Sequence, residues 1–154
     1  MIADMANLSP GDQMPDSTLQ GPEGPTKIRE RIGKPLVVYF YPKDETYGCT
    51  KEACGFRDQY EDFVAAGAEV IGISRDDAAS HAKFREHHQL PFTLLSDPGG
   101  KVATSWGVKD NLGFIPGRVT FVFDKSGVVR HRFESAIRFG KHVDEALATV
   151  KSLR

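Results

Sequence analysis

Residues 36–42 read LVVYFYP, an unbroken run of β-branched and aromatic side chains that opens after the breaker Gly33-Lys34-Pro35 and closes on a proline. With no polar face to offer water, such a run predicts a central strand buried on both sides. Behind it, Ala53, Phe56, Tyr60, Phe63 and Val64 recur at spacings of three and four, predicting a helix over 50–66 with Gly67 as its C-cap. AEVIGIS (68–74) is a second buried strand, followed by a helix over about 77–88 that Asp76 or Asp77 can cap. FTLLSD (92–97) predicts a short strand and residues 99–106 a short helix. VTFVFD (119–124) and VVRHRF (128–133) flank the hairpin signal Lys125-Ser126-Gly127, and a last helix is expected over about 141–152.

Residues 1–25, rich in Gly, Pro, Asp and Ser, predict an extended arm with turns and short strands around 17–20. Strands alternating with helices imply an α/β fold, a mixed sheet with helices on both faces. A chain of 154 residues fits one domain, able to bury roughly 70% of its unfolded surface without staples.

Twenty basic side chains balance 21 acidic ones, and no basic run occurs, so nothing draws this chain toward nucleic acid or an anionic membrane. Small or neutral substrates are favoured. The apolar run 36–41 is far too short to span a bilayer, and MIADMANLSPGD has neither a basic cluster nor an apolar core, so a cytoplasmic protein is expected.

Both cysteines fall in YPKDETYGCTKEACGF (41–56). In a reducing compartment a purely structural bridge is disfavoured, leaving buried thiols, metal ligands or redox chemistry. Cys49 follows a strand and stands at or beside a helix start, where unpaired N–H groups and the helix dipole favour a thiolate. The Thr46 hydroxyl can reach the sulfur or an oxygen approaching it, or cap the helix. Cys54 lies five residues on. In a helix their Cα atoms would stand roughly 8–9 Å apart, beyond the roughly 7 Å a disulfide tolerates. The two thiols could then join only after the first turns unwind; alternatively, Cys54 is a small apolar core residue. A Cys-x-x-Cys exchanger motif is absent, and the wider spacing suits a slow second step.

The segment resembles the peroxiredoxins, and within them the bacterioferritin comigratory protein (PrxQ-like) group. The signature proline, threonine and reactive cysteine are Pro42, Thr46 and Cys49, and TKEACGFRD (50–58) carries the group's second cysteine as Cys54. The likeness continues through LSPGDQMPDSTL (8–19), residues 72–108, and GRVTFVFDKSGVV (117–129), where Arg118 takes the place of the active-site arginine. Tyr47 stands where a second proline is usual, loosening the loop or shielding Cys49, and Ser17 where an aromatic is usual.

The resemblance implies a thioredoxin-like fold and a thiol peroxidase. Cys49 would attack a hydroperoxide and become a sulfenic acid, and Cys54 would close an intramolecular disulfide that thioredoxin or glutaredoxin reduces. Arg118 would stabilise charge on the oxygens, Thr46 and the Cys49 N–H would supply neutral donors, and Pro42 would shape the pocket. Glu52 either orients the arginine or completes a capping box from Cys49 or Thr50. With both thiols in one chain, a monomer suffices. His81, His87 and His88 read as a solvated helix face, none four residues from another, and His131 and His142 as unpaired. No metal, flavin or nucleotide is expected as a cofactor, and Trp106 reads as core.

Overall fold

The computed structural model describes residues 7–110 and 117–153. LVVYFYP supplies the central strand β3 (Leu36–Phe40), every residue of it buried. On one side lie β4 (Glu69–Ser74) and then β5 (Thr93–Ser96), all three parallel; on the other, antiparallel, lie β6 (Val119–Phe123) and β7 (Val129–Glu134). The arm adds an antiparallel hairpin, β1 (Thr18–Gly21) and β2 (Gly24–Lys27), giving the order β2-β1-β5-β4-β3-β6-β7. The second strand of that hairpin escaped prediction because Gly24-Pro25-Thr26-Lys27 has no apolar alternation to read.

The period of two along the strands divides the core. Leu36, Val38 and Phe40 of β3, with Val119, Phe121 and Phe123 of β6, face the layer holding Val102, Ala103 and Trp106. Val37, Tyr39 and Tyr41 face the layer holding Cys49, Phe56, Phe63, Phe84, Val143 and Ala146. The first face is covered by the arm and α4 (Lys101–Ser105), the second by α1 (Tyr47–Asp58), α2 (Tyr60–Ala65), α3 (Ala78–His87) and α5 (Phe139–Ser152). Ser17 does not leave a gap where an aromatic is usual: its Oγ accepts the Trp106 indole N–H at 3.0 Å.

The predicted helix 50–66 is two helices, broken at Gln59 and begun three residues early, with Thr46 as N-cap. The break lies between two fully buried rings, Phe56 and Phe63, whose centres are 5.7 Å apart against the sheet. Asp77 caps α3, accepting from the Ser80 N–H at 2.8 Å. Asp124 accepts from the N–H groups of Ser126 and Val128, closing the hairpin where it was expected.

Candidate active site

Pro42 has no N–H to extend the sheet beyond Tyr41, so the chain leaves β3 there and turns into α1. This turn is fastened from below through Asp44. Asp44, buried, accepts from the Tyr41 hydroxyl (2.6 Å), the Ser80 hydroxyl (2.8 Å) and His81 Nδ1 (2.7 Å), while its own N–H donates to Asp76. Burial alone would raise the Asp44 pKa, but the hydrogen bonds from His81 and Tyr41 outweigh it and hold it below the usual carboxylate range. The solvated helix face expected for His81 is therefore corrected: it is buried, and both ring nitrogens face acceptors, Asp44 and the Leu95 carbonyl at 3.0 Å. Only the fold brings Asp44 under it.

The turn delivers Cys49 as the third residue of α1, with 1% of its surface exposed. Two donors meet at its sulfur: Arg118 Nη2 at 3.4 Å and the Lys43 backbone N–H at 3.5 Å. Together with the free N–H groups of a helix's first turn, they surround the sulfur with positive ends of dipoles and one full charge. Thr46 differs from expectation. Its hydroxyl neither caps α1 nor contacts the sulfur but donates to the Lys43 carbonyl at 2.8 Å, leaving its oxygen to act as an acceptor. Cys54 is half-buried on the same helix, and both thiols are free. Tyr47 shields nothing: it is 74% exposed, its ring edge-on to Phe139.

Arg118, immediately before β6, is held on three sides. Nη1 donates to Glu52 Oε1 at 2.7 Å, Nε to the Ala136 carbonyl at 3.3 Å, and the guanidinium lies over the Phe139 ring, 4.9 Å from its centre. Burial works against its charge, but Glu52 and Cys49 beside it raise its pKa. Glu52 thus orients the arginine, and the capping-box alternative falls, since the N-cap is Thr46 and Glu52 lies beyond the first turn.

Behind Glu52 stands His142, fully buried. Its Nε2 faces the Ser135 carbonyl at 2.8 Å and so carries the hydrogen; Nδ1 then accepts from the Thr120 hydroxyl at 2.8 Å. Glu52 Oε2 lies 3.4 Å from that same nitrogen and has no hydrogen-bond partner among the described residues. Burial pushes Glu52 up to about 7, against the pull of Arg118, and pulls His142 down to about 4. A carboxyl oxygen without a donor favours the protonated acid, in the same direction.

The two shifts oppose each other in stability. Folded Glu52 holds its proton to about 7 against 4.5 unfolded, so its contribution is full below 4.5 and lost as pH rises through 7, on the order of 3 kcal/mol in all. His142, at about 4 against 6.5, contributes stability present above 6.5 and lost as pH falls through 4. Glu52→Gln removes the first slope and uncovers the second. In denaturant titrations, the variant's stability relative to wild type should climb from pH 4.5 to 7; a level difference over that interval would mean Glu52 is ionised throughout.

Gly48 sets how closely these parts meet. A Cβ there would fall 2.5 Å from the Phe139 ring and 3.1 Å from Arg118 Nη2. Gly48→Ala should therefore displace the guanidinium from the sulfur and slow the reaction of Cys49 with electrophiles roughly ten- to a hundredfold, by stopped flow, because small misplacements of reacting groups cost rate steeply.

Residues 10–132 match the AhpC/TSA family. This chain belongs to it. It is a peroxiredoxin, and its relatives place it in the peroxiredoxin Q group. It is 52% identical over 148 residues to the chloroplastic peroxiredoxin Q of Oryza sativa subsp. japonica, covering 95% of this chain and 68% of that one. Among solved structures, the peroxidoxin BcpB of Mycobacterium tuberculosis superposes with a TM-score of 0.88 at 38% identity, covering 96% of this chain and 99% of that one. A structure of the bacterioferritin comigratory protein of Xanthomonas campestris, described for its alkyl peroxide reduction activity, gives 0.81 at 30%, covering 92% and 98%. The fold is therefore thioredoxin-like, as the resemblance implied, and the peroxiredoxin is a thiol peroxidase.

The Lys43 N–H, Gly48, Thr120 and His142 were missed in the sequence. A backbone donor has no letter, and His142 is 22 residues from Thr120 in the chain. The sole available signal was a histidine near the start of an amphipathic helix.

Proposed function

We propose that Cys49 is the sulfur that attacks the hydroperoxide and Cys54 the thiol that resolves it. The observation that carries this is the convergence of Arg118 Nη2 and the Lys43 N–H on a buried Sγ at the first turn of α1. The thiolate attacks one peroxide oxygen; an S–O bond forms, the O–O bond breaks, and the second oxygen leaves as alkoxide or hydroxide, taking a proton from water. Arg118 stabilises the charge that builds on both oxygens, and the Thr46 oxygen accepts the hydroperoxide O–H. Pro42, half-buried where the turn begins, limits water.

Cys54 then displaces the sulfenic oxygen as water, closing the disulfide Cys49–Cys54. Both residues lie on α1, so the step requires its first turns to unwind. We read hydrogen peroxide and organic hydroperoxides as substrates and a dithiol reductant of the thioredoxin or glutaredoxin class as the recycling partner, with a monomer as the working unit. No helix among the described residues is long and apolar enough to cross a membrane. The rice relative is named chloroplastic; for this chain we propose the cytoplasm, as a reducing compartment.

Cys54→Ser tests the pairing. Stopped flow should show one fast equivalent of peroxide consumed, then a stall in the presence of thioredoxin. Unimpaired multiple turnover would remove Cys54 from the cycle. Far-ultraviolet circular dichroism of the wild type should lose helix signal on oxidation, and Cys54→Ser should not.

A further inference from the structure

The turn that carries Cys49 is tied to α3 at a second place, on the surface. Glu45 reaches across to the end of α3, where its carboxylate meets two adjacent imidazoles: His87 Nδ1 at 3.0 Å from Oε2 and His88 Nε2 at 2.9 Å from Oε1. The donor atoms of all three residues lie within 4.8 Å of one another. In a tetrahedral zinc site, bonds of about 2.0–2.2 Å place neighbouring ligand atoms about 3.3 Å apart; Oε1 of Glu45 stands 3.2 Å from His87 Nδ1 and 2.9 Å from His88 Nε2, and the two imidazole nitrogens lie within 4.8 Å of each other, so a small rotation of the exposed His87 ring completes the set. Two neutral imidazoles and one carboxylate are a donor set that Zn²⁺ takes with a fourth position left to water.

The backbone presents these groups. Glu45 is one of two non-glycine residues at positive φ among the described residues, +64°, a conformation that disfavours a residue with a Cβ. His88 is steadied by the Phe84 ring edge and by Arg57, which donates to its carbonyl at 2.8 Å. The side chains of His87, Glu45 and His88 are 67%, 45% and 17% exposed, open enough for an ion to enter. The other cluster of this kind among the described residues, Asp44, Asp76 and His81, differs: it is largely buried, and both nitrogens of His81 are already engaged within the protein.

We infer that Glu45, His87 and His88 form a site for a zinc-class divalent cation that locks the active-site turn to α3. Glu45 precedes the N-cap of α1, and that end of α1 must unwind before Cys54 can reach Cys49. A cation joining Glu45 to two imidazoles resists this movement, so it slows disulfide closure while leaving attack on peroxide unhindered. The lock rests on the cycle proposed above; the site itself does not.

The test has two arms. Calorimetric titration of Zn²⁺ into the full-length Cys49→Ser/Cys54→Ser protein, which lacks competing thiols, should show one equivalent bound. Affinity should fall at least tenfold in His87→Ala and in Glu45→Gln added to that background, and Mg²⁺ should not bind. No binding, or binding indifferent to both changes, overturns the site. In the second arm, disulfide closure after a single peroxide equivalent is timed with and without Zn²⁺ in wild type and in Glu45→Gln. Slowing of severalfold in wild type and not in the variant is expected; equal rates, or equal slowing in both, overturn the lock. A protein that bound zinc through these residues yet consumed no peroxide would overturn the lock and the cycle it rests on, and leave the site standing.

Discussion

Cys49→Ser is expected to lower the rate of peroxide consumption roughly 10⁴-fold or more, because the serine alcohol stays protonated and the attacking anion is lost. The change is small in every other respect. Serine is close in size to cysteine, the Arg118 and Lys43 donors would still point at its oxygen, and the buried position keeps its polar neighbours. Helix content and the thermal midpoint should stay near those of wild type, separating chemistry from folding. Cys54 remains in this variant, half-buried, so any residual reaction measures what an unassisted thiol can do. Rapid peroxide loss in stopped flow would show that the attacking group lies elsewhere.

Arg118→Met should cost about 10² to 10³ in kcat/KM, the usual consequence of removing a fixed donor aimed at developing charge. Its effect on stability is separable. The substitution deletes one of the two donors to the sulfur, the donor to the Ala136 carbonyl and, among the described residues, the cation paired with Glu52. Glu52 is already raised to about 7 with the arginine present, and without it burial pushes the carboxyl higher still. At pH 8 the variant must therefore carry a proton that the unfolded chain has shed, and its stability deficit grows as pH rises. Adding Glu52→Gln to Arg118→Met should restore the thermal midpoint at pH 8 and leave the rate low. If the double variant regained the rate, the role of Arg118 would be structural. Arg118→Lys should recover little, because an ammonium cannot serve Glu52, Cys49 and Ala136 at once from a planar fork.

The elements most legible in the sequence were those with a strong local period. LVVYFYP, AEVIGIS and VTFVFD read as buried strands, and Asp77 and the Lys125-Ser126-Gly127 turn as punctuation, because each signal is complete within a few residues. The break at Gln59 was invisible, since the apolar spacing of three and four runs on from Phe56 through Tyr60 to Phe63 as if the helix were continuous. Pro42, Thr46, Cys49, Cys54 and Arg118 came from an ordered motif, but the part Thr46 plays depends on where its hydrogen points. That was decided by the Lys43 carbonyl.

By itself, the sequence determined a mixed sheet under two layers and put a cysteine at a helix entrance, because burial period and helix punctuation act over short stretches of chain. Only the tertiary structure decided what surrounds that cysteine. Arg118 reaches Cys49 across 69 positions and Glu52 across 66, and Glu45 meets His88 across 43. Hydrogen bonds and ligand sets depend on distance in space, which the sheet order fixes and the spacing of letters does not.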